Sequence, residues 1–125
     1  MNKVMWEGYG MKVGSDLEPC ELDVLVAETL EWTFSERYET WSHNATFKGD
    51  LPKFSSTGDG MLTLIEEARS QGIRLDHESL EDGYVVTAHK FRTKNTSTVL
   101  ADSESVVQNL PKEYALIFLR AKKVI

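Results

Sequence analysis

Cysteine, histidine and proline are all scarce in this 125-residue chain, at one, three and three residues. Cys20 has no second thiol for an intrachain disulfide and no partner at a recognised metal-ligand spacing, a usage that suits a reducing compartment. His43, His77 and His89 fall in no H-x-x-x-H or H-E-x-x-H pattern, so a metal site is not expected. Nor does the sequence place Cys20 beside a histidine that could activate it, and it reads as a packing residue. No apolar run approaches the roughly 18 residues of a membrane span. Lys3, Trp6 and Glu7 interrupt any signal-peptide core near the first residue, and the chain is expected to be soluble and cytoplasmic. Basic residues are in deficit as well. Twenty Asp and Glu against fourteen Lys and Arg give a net charge of -6, which argues against general affinity for nucleic acid or an anionic membrane. The deficit is uneven: residues 1–60 carry five basic and eleven acidic groups, whereas residues 61–125 carry nine of each, so an anion site belongs more plausibly to the second half.

What the chain does have is 41% hydrophobic content, enough for one core. Residues 1–15 mix Gly8, Gly10 and Gly14 with Met5, Trp6, Tyr9 and Met11, and read as an aromatic arm preceding a single domain over 16–125. A first helix is expected from Pro19 to about Trp32, with Leu22, Leu25, Val26 and Leu30 on one face. Residues 33–54 read as irregular strand and loop, with Gly49 and Pro52 as breakers. A second helix carries Met61, Leu64, Ile65 and Ala68 on a stripe, and Gly72 is placed to end it in the left-handed conformation.

Three strands follow, "IRLDHES", "YVVTAHKF" and "STVLA", joined around Asp82-Gly83 and Lys94-Asn95 into an antiparallel meander. In the second of them Tyr84, Val86, Ala88 and Lys90 share one face, and Val85, Thr87, His89 and Phe91 the other; alternation alone does not say which is core. The last helix starts near Pro111. Its centre, Ala115 to Leu119, is apolar throughout, which predicts contact on more than one side. The fold class that results is α+β: a three-stranded antiparallel meander packed with about three helices in a compact sandwich.

No catalytic constellation stands out. Glu66-Glu67 and Glu81-Asp82 are adjacent rather than convergent, and the chain reads as a binding protein, not an enzyme, with no cofactor. The stretch "KFSSTGDGM", Lys53 to Met61, holds hydroxyls and glycines before the second helix but fails both phosphate-loop patterns: Gly60 is followed by Met61-Leu62 instead of Lys and a hydroxyl, and no third glycine follows. Thr57 or Asp59 as N-cap, with Ser56 and Asp59 at capping-box spacing, accounts for it better than an anion site. "HKFRTKN" interleaves charge with an aromatic at the second hairpin. Phe91 could stack a base, Arg92 meet phosphate and Asn95 read a polar edge, while Phe54, Ser55 and Ser56 could line the other wall of the same pocket.

Taken together, "ELDVLVAETLEW", "LPKFSSTGDGMLTLIEEARSQG", "STVLAD" and "PKEYALIFLRAKK" resemble the phage ABA sandwich family of small bacteriophage and prophage proteins, with Gly58 interrupting that family's Thr-Asp helix start. By setting and build the chain also looks like the Thoeris anti-defence sponges. That likeness implies a homo-oligomer in the cytoplasm of a bacterial host that sequesters a small phosphorylated nucleotide signal, such as a cyclic ADP-ribose derivative or a cyclic dinucleotide. Two other roles stay open: an inhibitor that engages a host defence complex through the acidic first half, or a phage structural or accessory protein with no small ligand.

Overall fold

The last helix organises the structure. In the computed structural model, which describes residues 17–43, 46–93 and 96–125 with the side chains of Phe47, Arg92, Thr93, Thr96 and Ser97 excepted, seven consecutive residues of this helix, Glu113 to Leu119, are buried. The arm expected over 1–15 lies outside the described residues. Helices are α1 (Pro19–Thr29), α2 (Gly58–Ser70) and α3 (Leu110–Ala121), and strands are β1 (Thr33–Ser35), β2 (Thr40–His43), β3 (Thr46–Gly49), β4 (Ile73–Leu80), β5 (Gly83–Thr93) and β6 (Thr96–Asp102). Helix α3 meets α1 and α2 on one side and β5 and β6 on another, which is why its apolar centre needs no polar face. Its start is fixed by Asn109, whose Oδ1 accepts from the Lys112 N–H at 3.2 Å. None of the described helices is long and apolar enough to cross a membrane.

Strands β4, β5 and β6 form the expected antiparallel meander. Its first turn is Glu81-Asp82, with Leu80 opposite Gly83, one residue earlier than the sequence suggests; the second spans 94 and 95, outside the described residues. Register settles which face of β5 is core. Leu75 pairs with Ala88 and His77 with Val86, and Ile73, Leu75, Val86 and Ala88 are all buried beneath α2 and α3. Thr87, His89 and Phe91 therefore stand on the outer face.

Residues 33–54 depart from expectation. The strand and loop expected there is more regular than the sequence suggests: β1, β2 and β3 pair into a second antiparallel sheet, with a bulge between Trp41 and Ser42. Its strands are three or four residues long, too short for alternation to register in the sequence. Trp41 and Phe34 tilt together at 5.3 Å and anchor this sheet to the common core.

Helix α1 also ends three residues before Trp32. Glu31 takes φ 68°, its N–H bonds to Glu28 O at 3.0 Å, and the Trp32 N–H reaches Ala27 O at 2.9 Å, a Schellman closure with glutamate in the left-handed position. The closure turns Trp32 into the core. Left-handed backbone is costly for a residue with a Cβ, so Glu31→Gly is expected to stabilise the fold by about 0.5–1 kcal/mol. The check is a rise in the urea midpoint at unchanged slope.

Candidate functional site

Four of the six residues proposed from sequence, Phe91, Phe54, Ser55 and Ser56, are described with their side chains. Phe91 extends β5 past the start of β4: its N–H bonds to Gly72 O at 3.0 Å, and its register partner on β6 is Ser97. Glycine on one side leaves room, since a Cβ built at Gly72 would meet nothing within 4 Å. The phenyl ring is 43% exposed, unusual for a large aromatic within a strand.

Around it on the outer face lie Arg74 and His89, directly opposite one another, then Asp76 opposite Thr87, while Val99 pairs with His89 from β6 and is 54% exposed. Asp76 links the polar members. Its Oδ2 accepts from Arg74 Nε at 3.1 Å, and its Oδ1 lies 3.6 Å from His89 Nε2. The Nη amino groups of Arg74 are the donors that a phosphate would use. Sequence reasoning passed over Arg74, because only the register of β4 against β5 brings it beside His89 and one step along from Phe91.

Arg92 lies on β5, with its side chain outside the described residues; Asn95 lies outside them entirely. The other three residues do not join this face. Phe54 is fully buried and meets Trp32 edge-on at 6.0 Å. Ser55 is buried too, its N–H donating to Asp23 Oδ1 at 2.9 Å and its Oγ lying 2.8 Å from the same oxygen, so its hydroxyl is not free to line a pocket. Ser56 is exposed, but both serines precede the N-terminus of α2, whereas Phe91 is bonded just beyond that helix's C-terminus. A 13-residue helix, roughly 20 Å long, separates them. Residues 54–56 therefore do not meet Phe91, whose neighbours on the outer face are Arg74, His89 and Asp76.

The "KFSSTGDGM" stretch is a cap. Thr57 Oγ1 accepts from the Gly60 N–H at 3.0 Å, and Ser56 and Asp59 do not form the alternative box.

Two further polar clusters lie elsewhere. Tyr114, buried in α3, shares a 2.7 Å hydrogen bond with His77 Nδ1; burial, with a smaller push from Asp76, raises its phenol to about 12, so it stays protonated at any physiological pH. A hollow of ≈ 360 Å³ at the β4–β5 turn is lined by Ser79 to Tyr84 and Gln108. Its lining has the carboxylates Glu81 and Asp82 and no basic side chain, which suits it poorly to a phosphate, and β5 carries it to the far end of the sheet from Phe91. Among the described residues no three His, Cys, Asp or Glu side chains converge on a point that could hold a metal ion. Compared with known proteins, the chain matches no family, no curated protein and no solved structure.

Proposed function

We propose that the chain is a phage-type anti-defence protein that binds a small phosphorylated nucleotide, of the cyclic ADP-ribose or cyclic dinucleotide class, and sequesters it without turnover. The site is the outer face of the β4–β6 sheet, and the protein acts there as a homo-oligomer in the cytoplasm of a bacterial host. The observation that carries this reading is the solvent-facing ring of Phe91 beside the Arg74–His89 pair. An aromatic side chain and a guanidinium on the same sheet face are what a base and its phosphate require, and they sit on paired strands that need little ordering on binding. The resemblance of its motifs to the phage ABA sandwich family is what suggests the phage setting.

Protein purified from cells that make the signal is expected to release intact cyclic nucleotide on heating. Phe91→Ala should weaken that binding about tenfold or more, the usual worth of one base–aromatic stack, and Arg74→Ala should weaken it further at low salt. Retention of no nucleotide, with no response to cyclic ADP-ribose isomers or cyclic dinucleotides in calorimetry, overturns the reading. Release of a chemically altered nucleotide would make the protein an enzyme instead.

A further inference from the structure

The three histidines differ in what holds their nitrogens, and the difference singles out His43. His77 uses Nδ1 on the Tyr114 hydroxyl. His89 has Nδ1 shielded from water without a partner and Nε2 turned to Asp76. His43, on β2, has a carboxylate as its partner: its Nδ1 lies 3.0 Å from Glu67 Oε2 on α2. A carboxylate only accepts, so the proton of the ring is on Nδ1, and in the neutral ring the lone pair is on Nε2. Trp32 fixes the ring a second time, stacked at 5.1 Å between centroids and 10° between planes, while its own Nε1–H donates to the same Glu67 oxygen at 3.3 Å. Nε2 has no hydrogen-bond partner among the described residues and is not one of the shielded polar atoms. The ring is thus oriented by two neighbours, with its side chain 15% exposed and Nε2 not fully shielded from water.

A carboxylate on the far nitrogen fixes the tautomer that presents the Nε2 lone pair and stabilises the positive charge that appears as Nε2 forms a bond. The indole adds to this, because its face attracts a cation. Stacking covers a face of the ring, whereas the Nε2 lone pair lies in the ring plane, so the approach needed for attack is not blocked. No hydroxyl or thiol among the described residues is hydrogen-bonded to Nε2, which leaves the imidazole itself as the candidate nucleophile.

We infer that His43 is a phosphoryl-acceptor site, modified on Nε2 by small phosphoryl donors with a good leaving group, with Glu67 as the positioning residue. With phosphoramidate, a P–N donor, the Nε2 lone pair attacks phosphorus, the new N–P bond forms and the donor's P–N bond breaks. Ammonia leaves with the three protons it carries in the zwitterionic donor. The ring keeps its Nδ1 proton as an imidazolium facing Glu67 and Trp32, and no electrons are transferred to or from the pair. The inference stands apart from the nucleotide reading, since His43 and Phe91 belong to different sheets.

The test is incubation of the full chain with potassium phosphoramidate at mildly alkaline pH, followed by peptide mapping under alkaline conditions. Acid-labile phosphate is expected on His43 well before His77 or His89, and His43→Asn should remove it. Glu67→Gln keeps an acceptor but removes the charge, and should slow labelling of His43 about tenfold while leaving that of His77 unchanged. The ratio of the two rates separates this role from a merely structural tie, which would move both together through unfolding. Equal labelling of all three histidines, persistence of the fast label in His43→Asn, or an unchanged ratio in Glu67→Gln overturns the inference.

Discussion

Gly60→Ala is expected to cost about 3 kcal/mol or more, although the substitution places the best helix former inside the first turn of a helix. A Cβ at Gly60 would lie 2.1 Å from the carbonyl oxygen of Lys53, 2.3 Å from its carbon and 2.7 Å from Phe54 N. All three are backbone atoms, so no side chain can swing aside. The Lys53 carbonyl is also held from the other direction, accepting from the N–H of Ser56 at 3.2 Å and of Thr57 at 3.1 Å, with Thr57 Oγ1 at 3.1 Å. Moving it breaks the turn at 53–57, the Thr57 cap and the seat of Phe54, which is fully buried. Gly58, two residues away, has nothing within 4 Å of its Cβ position, and Gly58→Ala should be neutral within about 0.5 kcal/mol or slightly stabilising. Urea denaturation of the pair is decisive: equal midpoints would mean that the turn does not rest on Gly60.

The contrast between those glycines shows what a sequence reveals here and what it hides. "TGDG" reads as a helix start, and the Thr57 cap and the left-handed Gly72 are both local features that follow from residue type. Whether Gly60 is needed depends on Lys53 crossing above it, a tertiary contact with no local signature. The same division holds at the candidate site. Phe91 stands out by composition, but β5 carries valine on both faces, at 85 and 86, so its outward orientation follows only from the pairing of Leu75 with Ala88. Arg74 was illegible for the same reason. Nothing local to Ser55 and Ser56 reveals that α2, a rod some 20 Å long, stands between them and Phe91. The small β1–β3 sheet escaped because strands this short carry too few alternations to distinguish them from loop, and because its aromatics, Phe34 and Trp41, serve packing instead of period.

Asp23→Ala is expected to destabilise the fold by about 2–4 kcal/mol, the largest loss from removing one polar side chain that the structure suggests. Asp23 sits on the buried face of α1 among Leu22, Val26 and Ala27, where the periodic pattern calls for an apolar residue. It is there for Ser55, whose N–H and Oγ both depend on Asp23 Oδ1, although the Oγ also lies 3.2 Å from Pro19 O. Alanine leaves that buried N–H without an acceptor. Asparagine keeps Oδ1 and removes only the charge, and Asp23→Asn should fall within about 1 kcal/mol of the parent. The sign of that smaller difference depends on pH. Burial raises the Asp23 carboxyl above its ordinary 3.8, against the opposing bonds from Ser55 and the charge of Lys53. The folded state therefore holds this proton more tightly than the unfolded chain. The charged form detracts from stability above the folded pKa, and that cost is relieved as pH falls through the folded pKa toward 3.8. Asp23→Asn should accordingly compare best with the parent near neutrality and lose ground as the solution is acidified through that window. A stability difference that stays constant from neutral pH down to 3.8 would show that the carboxyl is not desolvated in the folded protein, and that the Ser55 contact, not the charge, is all that Asp23 contributes.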